Sequence, residues 1–429
     1  MAVVFLFFHL TKKRLGSIAG YICLPAYWIA FEYLHLNWDF SWPWLTIGNG
    51  FGNWPATVQW YEYTGVLGGS LWVITVNIIG YLAIQQFTYR KGIALFLLIT
   101  VPILFSLARY HFYSESPDPV NVVVVQPNVD PYGEKFTEPA ADQISRLLRL
   151  AAEKTDSAVD YVIGPETALS EGVCEDHLQT DAGIEYVRKF ISSFPKLKAV
   201  FGISSYKSYD NGQAPSSTAR KFSDADRYYD AYNTALQLDN KGEIQVYHKS
   251  RLVPGVEKMP YPNVFGFLDR FTVDLGGTSG SLGMQEDRTV FVSKDSVKVA
   301  PVICYESIYG EFLAGYIRNG AELIFIITND GWWGDTPGYR QHLSYARLRA
   351  IEFRRSIARS ANTGISCLID QRGVVIQPTE WWKPAVIRET LNRNDEMTFY
   401  AEHGDYIARV AVFVSFCLLL LLVIPFRKK

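Results

Sequence analysis

The sequence predicts an α/β layered domain held at both ends by helices that cross a membrane. Hydropathy is segregated along its 429 residues: the stretches up to about Tyr110 and again from Ile407 are aliphatic and aromatic, while about Asn121 to Gly404 carries most of the charge. Within that charged middle, short β-branched runs bounded by turn residues alternate with stretches of helical period, the pattern of layered α/β domains. Basic clusters at Lys12-Lys13-Arg14, Arg90-Lys91 and Arg427-Lys428-Lys429 all fall on one side when the apolar segments alternate across a bilayer. The formal net charge is −2, so no nucleic-acid partner is expected.

Residues 2–10 are apolar, with no basic leader before them and no small-residue cleavage site after them. They read as the end of a spanning helix and not as a signal peptide. Residues 15–36, interrupted by Pro25, Glu32 and His35, and the cleaner runs 67–87, 92–107 and 407–425 are long enough for helices across a hydrocarbon core of ~30 Å. The loop 38–64 then lies opposite the basic clusters, and Trp38, Trp42, Trp44, Trp54, Trp60, Tyr61 and Tyr63 read as an interfacial belt. The expected division is a membrane part over residues 1–110, an extracytoplasmic domain over 120–404, and a last span with a basic tail over 405–429.

In the middle domain, strands are expected at 120–126, 161–163, 199–203, 297–303 and 323–328. Hairpins are expected at 234–247 around Asn240-Lys241-Gly242 and at 365–377 around residues 370–373. Helical spacing covers 139–154, with Ile144, Leu147, Leu148 and Ala151 on one face, and about 182–193, 307–319 and 339–354. Residues 211–218 and 276–283 read as loops. Of the five cysteines, Cys23 and Cys417 lie in spans, and Cys174, Cys304 and Cys367 lie in the middle domain. An odd number there leaves at least one unpaired, with a Cys174–Cys367 bridge left open.

Three strand ends carry groups capable of chemistry. Glu166 follows Tyr161-Val162-Ile163-Gly164-Pro165, Lys249 follows the second arm of the first hairpin, and Cys304 ends the run Val299-Ala300-Pro301-Val302-Ile303. Open α/β sheets collect reacting groups at the carboxyl ends of strands. A thiol at a strand-to-helix turn is exposed as a nucleophile, and a helix N-terminus behind it favours thiolate. A carboxylate can move its proton and an ammonium can hold a tetrahedral oxyanion. Each residue alone has a blander reading, as packed thiol, helix cap or solvated lysine; the combination points to covalent catalysis.

Glu166 in Gly-Pro-Glu-Thr, Lys249 in His-Lys-Ser-Arg-Leu-Val-Pro and Cys304 in Ile-Cys-Tyr-Glu resemble the Glu-Lys-Cys triad of the carbon-nitrogen hydrolase (nitrilase) superfamily. Within it the chain is most similar to the apolipoprotein N-acyltransferase family. The motif at 52–60 with Gly65 and Asn77, the motif at 328–335, Gln341-His342, and the stretches 346–350 and 359–364 extend the likeness over nearly the whole chain. The resemblance implies an αββα-sandwich, nitrilase-like domain tethered to a multi-span α-helical membrane domain. It implies Cys304 as nucleophile, Glu166 as general base and Lys249 as oxyanion stabiliser. It further implies Glu257 as a carboxylate near the triad, Tyr305 and Glu306 beside the nucleophile, with Glu306 orienting Lys249 or its loop, and Trp332 and Trp333 as an aromatic pair on a mobile segment near the membrane. For the last two, interfacial anchoring is an equal alternative.

The implied partners are a phospholipid acyl donor, typically phosphatidylethanolamine, and a diacylglyceryl apolipoprotein acceptor. The implied location is a bacterial inner membrane, multi-pass, with the catalytic domain on the periplasmic side. No cofactor is implied, and no metal, since HExxH-type or paired Cys/His spacing is missing; His248 and His342 read as packing or hydrogen-bonding residues. The chain departs from the family in Val253-Pro254-Gly255-Val256-Glu257, where an aromatic and a glycine usually separate Pro from Glu, and in starting about three spans late. A membrane-anchored amidase and a non-catalytic lipoprotein-binding protein remain as alternatives.

Overall fold

The structure is a computed structural model and describes residues 1–135, 137–209, 215–223, 226–240, 242–265 and 281–424. The helices α1 (Ala2–Leu15), α2 (Ser17–Asn37), α3 (Tyr61–Gln85) and α4 (Tyr89–Phe112) come first. They are followed by β1 (Pro119–Gln126), α5 (Ala140–Ala152), β2 (Tyr161–Ile163), β3 (Leu169–Cys174), α6 (Ala182–Ile191), β4 (Lys198–Ser208), β5 (Arg220–Lys221), β6 (Tyr228–Leu238), β7 (Gln245–His248) and the single turn α7 (Pro262–Phe265). The second half contains β8 (Phe291–Val292), β9 (Lys298–Ile303), α8 (Gly310–Arg318), β10 (Leu323–Thr328), α9 (Gly338–Phe353), β11 (Ser356–Ala361), β12 (Cys367–Ile369), β13 (Val375–Ile376), β14 (Ala385–Asn392), α10 (Phe399–His403) and α11 (Tyr406–Val423). The loop readings at 211–214 and 276–280, Lys241 of the first hairpin turn and the basic cluster Arg427-Lys428-Lys429 lie outside the described residues.

Two sheets form the middle of the fold. One runs β14-β1-β2-β4-β6-β5, with β3 also on β4 and β7 also on β6; the other runs β13-β12-β11-β10-β9-β8. Strand β1 shows why they stack. Val122 and Val124 join a core shared with Val302, Ile324 and Phe325 of the second sheet, while Val123 and Val125 pack against Ile144 and Leu147 of α5 and Val187 of α6. Successive side chains of a strand point to opposite faces, so a run of four valines marks a strand covered on both sides. Helices α8 and α9 cover the second sheet through Leu313, Ile317, Ala346 and Ala350. The layers are therefore αββα.

Strand β14, for which the sequence offered no clear signal, pairs antiparallel with β1 from Pro119↔Asn392 to Gln126↔Ala385. Its side chains are mostly half-buried, which dilutes the two-residue alternation of an edge strand.

Among the described residues, α3, α4 and α11 are long and apolar enough to cross a membrane by length and composition. Helix α2 has the length but holds Pro25 and a buried Glu32. Arg14 at the end of α1 bonds the backbone at Leu422 near the end of α11, and Tyr21 of α2 packs on Tyr81 of α3. The basic junctions thus share the end of the bundle away from the sandwich. At the near end Glu62 accepts from Arg109 at 2.9 Å and from Arg354 at 2.6 Å. Helix α3 breaks at Gly65, whose φ is +60° and whose Cβ would lie 2.3 Å from the Tyr400 ring. The Val66 N–H beside the break donates to Glu352 at 3.1 Å, which replaces the lost helical acceptor.

Candidate active site

The carboxyl ends of β2, β7, β9 and β10 meet at one place. Strand β2 stops at Gly164-Pro165, and Glu166 follows; β7 ends one residue before Lys249; β9 runs directly into Cys304; β10 ends at Thr328, beside Asn329. Cys304 has φ +49°, a left-handed conformation that costs a non-glycine residue of order 1–3 kcal/mol and that sharp turns at reactive sites retain.

The carboxylates and the lysine form a buried cluster. Lys249, 1% exposed, donates to Glu166 Oε1 at 3.0 Å and to Glu257 Oε1 at 2.8 Å. Asn233 bridges the same two oxygens at 2.7 and 3.0 Å. The Asn329 N–H donates to Glu166 Oε2 at 3.1 Å, and the Val253 N–H to Glu257 Oε2 at 2.8 Å. Burial works to raise the Glu166 carboxyl, yet the Lys249 and Lys135 ammoniums and Asn233 outweigh it and hold it below the usual carboxylate range. Burial likewise works to lower Lys249, and Glu166 and Glu257 reverse that, so it stays a fixed cation.

The expectation that Cys304 favours thiolate is corrected by this geometry. Burial and then the Glu166 charge push its thiol up, with Lys249 only partly opposing. The helix expected from residue 307 is also delayed: a 3-10 turn spans Cys304–Ile308 and α8 begins at Gly310, so no α-helix terminus sits directly behind the sulfur. Cys304 is a resting thiol beside a carboxylate. The five cysteines are all free, and Cys174 and Cys367 lie in different sheets, so the open bridge is not formed.

The neighbours fix the turn. Glu306, fully buried, accepts from Tyr247 OH at 2.7 Å, Ser250 N–H at 2.7 Å, Arg251 N–H at 3.3 Å and Ile303 N–H at 2.9 Å; burial first, against these donors, raises its carboxyl to about 7. It ties the loop after Lys249 to the strand before Cys304. Tyr305 OH donates to the Ser41 carbonyl at 3.0 Å. His342 Nε2 lies 3.1 Å from the Cys304 carbonyl and its Nδ1 3.0 Å from Asp330. Asp330 in turn accepts from Arg359 at 2.6 Å. His248 pairs with Glu175 at 2.7 Å and stacks on Tyr232.

A cavity of ≈ 930 Å³ opens over Cys304, Glu166 and Lys249, with walls that include Phe40, Trp44, Tyr232, Leu282, Trp332 and Trp333. Trp333 packs edge-on against Trp44 at 4.9 Å and Trp332 against Tyr132 at 5.4 Å. The belt reading of the Trp-rich loop is corrected for Trp44: it stacks on Tyr345 at 5.9 Å as a wall of the site, while Trp42 and Trp54 are exposed.

Residues 121–398 match the carbon-nitrogen hydrolase family, and residues 1–79 match the apolipoprotein N-acyltransferase N-terminal domain. The apolipoprotein N-acyltransferase of Chlorobaculum tepidum is 32% identical, over 96% of this chain and 78% of its own length. This chain belongs to the apolipoprotein N-acyltransferase family. The family's protein from Geobacter metallireducens is 26% identical over 92% of this chain and 73% of its own. A solved amidase from Nesterenkonia sp. aligns at 14% identity with a TM-score of 0.45, over 68% of this chain and 95% of that one.

In this member of the apolipoprotein N-acyltransferase family, sequence reasoning missed Asn233, Lys135 and the wall residues Phe40 and Trp44. Asn233 leaves only a weak trace, as one of the buried polar residues of β6 beside Asp230, Thr234 and Gln237; the others reach the site from distant segments and leave none. Gly202 was also silent. A Cβ there would meet Thr167 N at 2.6 Å and Glu166 Cα at 2.8 Å, so the backbone carrying Glu166 has to move. We expect Gly202→Ala to lower acyl transfer by about 10²-fold, the scale of a 1 Å misplacement. It should cost about 1–3 kcal/mol of stability through overpacking. Steady-state rates and thermal melts of the same preparation check both, and wild-type rates would refute the placement.

Proposed function

We propose that this chain moves a fatty acyl group from a phospholipid to the α-amino group of an N-terminal diacylglyceryl-cysteine on an apolipoprotein, through a thioester on Cys304. One observation carries the reading: a thiol beside a buried Glu166–Lys249 ion pair opens into a large, mainly apolar cavity walled partly by the segment between α2 and α3. Glu166 takes the Cys304 proton as sulfur attacks the donor's ester carbonyl. The fixed Lys249 ammonium faces the oxyanion that forms. The C–O bond breaks, Glu166 returns the proton to the departing lysophospholipid oxygen, and the thioester remains. The acceptor amine then attacks the thioester carbonyl, the C–S bond breaks, and the thiol is restored.

On this reading residues 120–404 are the catalytic domain, and residues 1–110 and 405–429 hold it at a bacterial inner membrane facing the periplasm, where both lipid-anchored substrates meet it in two dimensions. Phosphatidylethanolamine is the donor. The test is purified chain in vesicles with acyl-labelled phosphatidylethanolamine and a diacylglyceryl-cysteine peptide, followed by mass spectrometry. Triacylated peptide supports the reading. Ammonia released from small amides with no triacylated peptide replaces it with the amidase, and neither product leaves a lipoprotein-binding protein.

A further inference from the structure

A second lysine enters the same cavity and makes no ion pair among the described residues. Lys135 is 3% exposed and lines the cavity with Cys304, Glu166 and Lys249. Its backbone is held firmly: its carbonyl accepts from Gln143 and Ser170, each at 2.8 Å, and its N–H donates to the Asp130 carbonyl at 2.9 Å. Its ammonium makes one hydrogen bond among the described residues, to the Glu166 backbone carbonyl at 3.4 Å. The acidic groups of its own turn are directed elsewhere: Glu134 pairs with Arg146, and Asp130 caps the Tyr132 N–H. The charged or titratable groups that act on it from the packed elements are Glu166, Cys304 and Lys249.

Two lysines in one site thus have opposite surroundings. Lys249 is clamped between two carboxylates and keeps its proton. Lys135 is a buried amine with no ion pair among the described residues, its charge only partly offset by the nearby Glu166, an arrangement that penalises the charged form. We propose that Lys135 is the catalytic base of the second half-reaction, taking the proton from the α-ammonium group of the lipoprotein acceptor before that amine attacks the Cys304 thioester. The proposal rests on the acyl-transfer reading above. Protons balance as follows. Neutral Lys135 removes one proton from the acceptor ammonium; the freed amine forms the N–C bond; Glu166 takes the second proton from nitrogen and passes it to the departing Cys304 sulfur as C–S breaks. Lys135 then returns its proton to solvent.

The acid–base match supports this assignment. Burial, partly offset by Glu166, lowers Lys135 to about 8, beside an α-amino group of about 7.7–8.0, and bases matched to their proton donor are the efficient ones. Glu166, held below the carboxylate range, is a poorer acceptor for an ammonium proton.

The test separates the half-reactions in the full chain, using labelled phosphatidylethanolamine to load the enzyme and a diacylglyceryl-cysteine peptide to discharge it. Lys135→Met, which also removes a charge that helps hold Glu166 ionised, should lose far more in discharge to peptide, about 10²-fold or more at pH 7, than in loading. The deficit should narrow above about pH 9, where the acceptor amine is already neutral. Hydroxylamine, a nucleophile that needs no base, should discharge it at the wild-type rate. Lys135→Arg, charged but unable to give up its proton, should behave like Lys135→Met. Peptide transfer at the wild-type rate by Lys135→Arg overturns the proposal, as does an equal loss in both half-reactions or a deficit that persists at high pH. A wild-type enzyme that loads but never discharges to peptide instead overturns the acceptor assigned under Proposed function.

Discussion

Cys304→Ala should yield a folded protein that accumulates no acyl-enzyme from labelled phospholipid, with transfer reduced by roughly 10⁴–10⁶-fold, the scale of losing a covalent nucleophile. Folding should survive because alanine bears the same left-handed backbone at φ +49°, and the change removes only the sulfur. Glu166 and Lys249 keep their pairing with each other and with Glu257, so the variant isolates the sulfur. Cys367 is the internal control. It is fully buried in β12, and its thiol is pushed up to about 12, chiefly by burial. Gel autoradiography after loading, with hydroxylamine release, checks the outcome. A thioester persisting in Cys304→Ala would sink the assignment.

Arg359→Met should destabilise the protein by about 3–5 kcal/mol, the cost of leaving a buried charge without its partner. Arg359 and Asp330 are both inaccessible to solvent, and the Arg359 guanidinium also donates to the Ile365 carbonyl at 2.6 Å. Burial works to raise the Asp330 carboxyl, but Arg359 and then His342 hold it well below the usual range. A depressed carboxyl contributes stability that is present above its unfolded value of about 3.9 and lost as pH falls through its folded value. Removing Arg359 shrinks that depression, so acid unfolding should begin at higher pH. The same network reaches the Cys304 carbonyl through His342, so activity should fall as well. Denaturant melts and an acid titration in detergent check this. Arg359→Met with Asp330→Leu should recover much of the loss, because removing both partners leaves no orphaned charge. A single variant within about 1 kcal/mol of wild type would refute the role.

The readable parts of the site are those whose signal is local. The strands ending near Glu166 and at Cys304 announce themselves as apolar runs, because both of their faces are covered. Strand β14, the placement of Trp44 and the role of Lys135 are not local. Lys135 sits in a turn, 31 residues from the Glu166 carbonyl it touches, and nothing in its neighbours distinguishes it from a solvated lysine. The start of α8 was misread because Glu306, an ordinary helix-start residue in sequence, turns inward to accept the N–H groups of residues 250, 251 and 303.

Sequence alone determined the layered α/β class, the apolar helices around it and the three strand-end residues, since periodicity and hydropathy act over a few residues at a time. Tertiary structure decided the electrostatic surroundings of these groups. Whether Cys304 rests as thiol, whether Lys249 is a fixed charge and whether Lys135 can release its proton depend on burial and on charges brought in from other strands, and only the folded chain places those within reach.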